Sequence, residues 1–165
     1  MELKNGIAVL FVRDAQRARE FYESLLGFHV VAEFGGTNII FREGFALWQP
    51  MPDHPIPAAY ATTLGDSRIH DDTLPPRGEM CYETDDLDSV HTGLKAAGVR
   101  FLHEVREEIW GQRTVRFFDP DGHLIEAGES MHVFIRRFRN QGLTPEQIAE
   151  RTFMPLPMVL GILGN

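Results

Sequence analysis

Apolar and polar positions along the chain change period in the same order twice. Ile7 to Val12 is an apolar run rich in β-branched and aromatic residues, which predicts a buried strand. Asp14 follows, a residue type that caps helix N-termini. Ala18, Phe21, Tyr22, Leu25 and Leu26 then fall at helical spacing and predict one apolar helix face over 14–26, which Gly27 closes in the left-handed conformation. Beyond it, 28–34, 38–41 and 45–49 predict short strands, punctuated by Gly35-Gly36 and Glu43-Gly44.

The second half repeats this order. Met80 to Thr84 predicts a strand, Asp86 a cap, Leu87, Val90, Leu94 and Ala97 a helical face, and Gly98 its end. The two capping aspartates lie 72 residues apart. Residues 99–105, 114–118 and 124–127 supply three more strands, with a turn at Asp119-Pro-Asp-Gly122 before the last. Chance alone gives many strand-helix-strand patterns, but here cap, apolar offsets and closing glycine coincide twice. The expected fold class is therefore α+β: two tandem βαβββ modules, residues 1–49 and 78–130, plus a C-terminal helical extension, 131–165.

Residues 50–77 carry Pro50, Pro52, Pro55, Pro57, Pro75 and Pro76 without periodicity, which predicts a binding loop, a lid or a linker. His54 and His70 lie in it without ligand-like neighbours and are expected at the surface. In the tail, 132–139 reads as an amphipathic segment, Thr144 as a cap, Pro145 as a first helical residue and 158–163 as a short apolar helix. That order is similar to a helix-turn-helix, yet the second helix has no charged or amide side chain with which to read bases, so it is expected to pack on protein.

Composition narrows the function classes. The formal charge is −8 over 165 residues. Four arginines and two glutamates fall in 131–165, so the body holds 12 basic residues against 22 acidic ones, which argues against nucleic acid and against an anionic membrane as partners. No signal segment and no apolar run of membrane-spanning length is present, and a cytoplasmic protein is expected. Cys81 is the only cysteine, which excludes an intrachain disulfide; its apolar surroundings predict a buried, inert thiol.

Three stretches resemble the vicinal-oxygen-chelate superfamily of glyoxalases, bleomycin-resistance proteins and extradiol dioxygenases: Val12-Arg-Asp14 leading into Glu20-Phe-Tyr-Glu-Ser-Leu-Leu-Gly-Phe28, Thr84-Asp-Asp-Leu-Asp88, and Phe118-Asp-Pro-Asp-Gly-His-Leu-Ile-Glu126. The run from His103-Glu to Trp110-Gly-Gln-Arg113 and Glu129 is similar to an uncharacterised glyoxalase-like subgroup. The resemblance implies curved mixed sheets enclosing a cleft, a small-molecule ligand and a homodimer. It also implies metal ligands on the first and last strands of each half. Those positions hold Ile7 and Trp48 in the first half, Glu79 and Glu126 in the second. Two carboxylates fall short of the three or four donors that zinc, nickel, manganese or iron normally takes, so a firmly held ion is not expected, with His103 as the one further donor. On a regular strand His103 shares a face with Val99, Phe101 and Val105.

Close carboxylates facing an apolar wall such as Trp48 repel, which raises one pKa and suits Glu126 or Glu79 as a general base. Equally, each carboxylate can simply pair with an arginine, Arg113 first. Trp110 and Arg113 lie in an irregular hairpin that contacts ligand or only fixes the turn. Three readings stay open: a lyase or isomerase acting on a small oxygenated metabolite, a non-catalytic binder that sequesters a small molecule, and a ligand sensor with a helical tail.

Overall fold

The computed structural model describes residues 6–52, 54, 55 and 78–164. The expectations for His70 and for most of the proline-rich segment lie outside the described residues. The chain divides into two compact units, residues 1–77 with 119–123, and residues 78–118 with 124–165.

In the first unit, β1 (Ala8–Phe11), β4 (Phe45–Trp48), β3 (Asn38–Phe41) and β2 (Val30–Phe34) form a sheet in that spatial order, parallel between β1 and β4 and antiparallel elsewhere. Asp14 caps α1 (Ala15–Glu20) by accepting from the backbone N–H groups of Gln16 and Arg17. The helix then widens into a π-helical turn, Phe21–Leu25, with Leu26 donating to the carbonyl of Phe21. This departs from the single helix that the apolar spacing predicts. The packing of Tyr22 accounts for it: the ring is fully buried, with Phe45 and Phe41 centroids at 5.0 and 5.6 Å, and a π turn shifts the residues after it around the axis. Gly27 has φ +71°, the left-handed closure expected. Ile7 is exposed and precedes β1.

The turn Asp119–Gly122 belongs to this unit. Asp119 Oδ2 accepts the Tyr22 hydroxyl at 2.8 Å and meets His123 Nδ1 at 2.8 Å, while Oδ1 accepts the backbone N–H groups of Asp121 and His123. Burial works against its charge, but these bonds, those from His123 first, hold its pKa below the ordinary aspartate value.

In the second unit, β5 (Glu79–Thr84), β8 (Leu124–Glu129), β7 (Arg113–Phe118) and β6 (Phe101–Glu107) repeat the sheet order and the parallel first pair. Asp86 caps α2 (Leu87–Ala96) through Ser89; Leu87 and Leu94 of the helix are buried, as are Val115, Phe117 and Ile125 of the sheet. Each half is thus a βαβββ module with its aspartate at the same point.

Three helices follow: α3 (Met131–Asn140), α4 (Pro145–Thr152) and α5 (Leu156–Leu163). Phe134, Ile135, Phe138, Ile148 and Val159 form their core. Thr144 and Gln147 complete a capping box at α4. α5 is covered on one side only: Val159 is buried, whereas Met158 is exposed. None of the helices among the described residues is long and apolar enough to cross a membrane.

Candidate functional site

Strand register in the second unit lines up Cys81, Glu126, Arg116 and His103 as neighbours across β5, β8, β7 and β6, on one face of the sheet. Arg116 is the centre of this row. Its Nε donates to Glu79 Oε2 at 2.7 Å, with Nη2 near Glu79 Oε1 at 3.5 Å. Nη1 donates to Glu108 Oε1 at 2.7 Å, and Nη2 makes an ion pair with Glu126. His103 Nε2 lies 3.3 Å from Nη1 while Nδ1 meets the Glu104 carbonyl at 2.8 Å. This geometry suits the tautomer with its proton on Nδ1.

Glu79 and Glu126 therefore come together around a guanidinium. Glu126 is buried, and Arg116 is its only polar side-chain partner among the described residues. Burial raises its pKa; Arg116 opposes this, and the charges of Glu79 and Glu108 add to it, so the net direction is upward. At Glu108 burial again pushes upward, but hydrogen bonds from Arg116, Thr114 and Arg106 outweigh it and the pKa falls. The hydrogen bond to Glu79 raises the Arg116 pKa most, against desolvation.

Four expectations need correction. Arg113 is not the partner of Glu79 and Glu126: it lies on the other face of β7, where it holds Asp88 at 2.6 Å and Glu129. His103 and Phe101 do not share a face, because β6 carries irregularities on both sides of His103, and Phe101 pairs with Phe117 on the helix side. Cys81 is exposed, and partial desolvation with the nearby charges of Glu79 and Glu126 raises its thiol pKa. His54 is half-buried, its ring 5.0 Å from that of Trp48.

Trp48 belongs to the first unit, at the end of β4, where it also meets Phe11. Trp110 sits in the hairpin before β7 and donates to Gln112 Oε1 at 3.0 Å. Gln112 lies over Gly128, two residues beyond Glu126 and so on its face; a β-carbon there would come within 2.7 Å of the amide.

Arg116 and Glu108 are not among the site residues predicted from the sequence. A signal for Arg116 does exist: in a hairpin centred on Asp121, residues equidistant from it pair, which sets Arg116 opposite Glu126. Glu108 sits beyond β6 with no register to place it.

Residues 5–132 match the family described as glyoxalase-like domain. The chain belongs to that family. No curated protein matches it. Among solved structures, this glyoxalase-like chain is similar to a protein of unknown function from Agrobacterium tumefaciens str. C58, at 28% identity and TM-score 0.58 over 79% of this chain and 98% of that one. It is also similar in fold to a lactoylglutathione lyase from Agrobacterium tumefaciens, at 22% identity and TM-score 0.52 over 78% and 96%. A third is a member of the glyoxalase/bleomycin resistance protein/dioxygenase superfamily from Sphaerobacter thermophilus, at 22% identity and TM-score 0.50 over 77% and 98%. The divalent metal associated with this fold does not fit the second sheet: Arg116 engages both glutamates, and no group of three His, Cys, Asp or Glu suited to an ion forms among the described residues.

Proposed function

We propose that this glyoxalase-like protein takes a small oxygenated metabolite against the polar face of the second sheet and exchanges a proton with it through Glu126, in isomerase or lyase chemistry. The observation that carries this reading is Glu126 itself: a buried carboxylate on a central strand, its proton affinity raised, with a fixed cation as its sole polar side-chain partner among the described residues. A carboxylate moved toward neutral pH serves as a base for a carbon-bound proton next to a carbonyl. Arg116 keeps its charge throughout and favours an anion forming nearby. Glu79 and Glu108 hold that guanidinium in place.

A second reading, sequestration of a small molecule without chemistry, is favoured by the same ion pair, since a carboxylate held by a guanidinium is a weaker base. Both readings are tested by incubating the protein in deuterated water with a panel of 2-oxo acids, 2-hydroxy aldehydes and aromatic metabolites. Deuterium appearing next to a carbonyl, and falling by about 100-fold or more in Glu126→Gln, supports the enzyme. A panel member that saturates the protein without exchange supports the binder. A panel with neither binding nor exchange overturns both.

A further inference from the structure

The guanidinium of Arg116 occupies the space between the two carboxylates best placed to hold a cation. Every arm of it is used: Nε and Nη2 face Glu79, Nη2 also faces Glu126, and Nη1 faces Glu108 and His103. His103 is committed as well: it turns Nε2 toward Arg116 and Nδ1 toward a carbonyl.

We propose that Arg116 is a built-in cation standing in for a divalent ion between Glu79 and Glu126, so that the polar face of the second sheet works without metal. The proposal is independent of which chemistry that face performs. An entering ion has to expel a guanidinium whose side chain is only 17% exposed and whose charge cannot be removed by deprotonation. It also has to break the two-point contact with Glu79 and the ion pair with Glu126. A metal-dependent site responds to chelators and to ion supply, whereas this one has no part that can dissociate. The consequence is specific. Removing the guanidinium leaves three carboxylates, Glu79, Glu108 and Glu126, around the space it filled, and that arrangement attracts a divalent ion.

The test is calorimetric titration of the full-length, chelator-treated protein with manganese(II), and separately with zinc(II). The wild-type protein is expected to show no one-to-one site that depends on Glu79 or Glu126. Arg116→Ala, and Arg116→Gln as a bulkier neutral replacement, are expected to bind one ion at least about tenfold more tightly than the wild type, and to lose it when Glu126→Gln is added. Arg116→Lys, which keeps the charge, is expected to gain none. A readout on the unaltered protein stands apart from the variants: the Arg116 Nε–H resonance, held by Glu79, keeps its position through a zinc titration to excess. A wild-type site abolished by Glu79→Gln or Glu126→Gln, a shift of that resonance at one equivalent, or folded Arg116→Ala and Arg116→Gln proteins that bind no better than wild type overturns the proposal. None of these outcomes bears on deuterium exchange, so failure here is distinguishable from failure of the proposed reaction.

Discussion

A guanidinium cannot give up its proton at any pH at which a protein folds, so the pH response beside Arg116 comes from carboxylates, Glu108 and Glu126 among them. They divide unequally. Glu108 is drawn down by donors, and Glu126 is pushed up by burial and by its neighbours' charges. The raised pKa sets the sign of a stability effect. A glutamate whose proton is bound more tightly in the folded state contributes stability below its unfolded pKa of about 4.3, and that contribution is lost as pH rises through the folded pKa. The wild-type protein is therefore expected to lose stability relative to Glu126→Gln as pH climbs from about 4 to 7 in parallel urea titrations, the gap closing at acid pH. If the wild type gains on the variant over that range, the Arg116 pair dominates and Glu126 is a poor base. At this scale Glu79 and Glu126 are legible through the family resemblance, which implies ligand positions on the first and last strands of the second half. Arg116 and Arg113 both sit on β7, on opposite faces, and only the hairpin register tells them apart.

Among elements, caps and closing glycines are legible because a single residue makes each of them. Asp14, Asp86 and Thr144 all cap where expected. The π turn in the first helix and the irregularities of β6 are not legible, since each shifts a register by one residue without a distinctive side chain. The hairpin between β6 and β7 shows how tertiary contacts fix such a segment. Gly111 has φ +89°, and a β-carbon there would lie 2.4 Å from the Phe138 ring of α3. Arg137 of α3 donates to the Gly111 carbonyl at 2.7 Å and to Glu129 at 2.9 Å, and Arg151 of α4 donates to the Ile109 carbonyl at 2.6 Å. The tail thus grips the loop that carries Glu108, Trp110 and Gln112. Gly111→Ala adds backbone strain to a clash with an aromatic ring whose cluster is already filled, a cost of about 2–4 kcal/mol. It is expected to lower the urea midpoint accordingly and to speed amide exchange across 108–112. A loss under about 0.5 kcal/mol, the range of an ordinary surface change, would mean that α3 does not fix the loop.

Taken as a whole, the chain is a family domain over residues 5–132 with a further segment beyond it, and that segment belongs to the fold of the second unit. The duplication is legible because two halves of one sequence check each other; the tail has no such second copy, and its surroundings have to be argued from side chains. Ile148 of α4 and Val159 of α5 complete a cluster with Phe134, Ile135 and Phe138 of α3. Deleting 141–165 leaves those three α3 side chains without their cover and removes Arg151 from Glu107 and Ile109. The arginines speak to the alternative use of the tail as a nucleic-acid reader. Arg137 and Arg151 are held by carboxylates and carbonyls of the hairpin and Arg139 donates to the Leu143 carbonyl, so three of the four tail arginines are engaged, in a chain of net charge −8. The truncated protein is expected to aggregate or to melt well below the full chain, and the full chain is expected to show no salt-sensitive binding to mixed-sequence duplex DNA. Light scattering, thermal melting and fluorescence anisotropy on the two proteins check this together. A truncation that stays monodisperse and as stable as the full chain, with DNA binding confined to the intact protein, would make the tail a reader of phosphate instead of a brace for the hairpin.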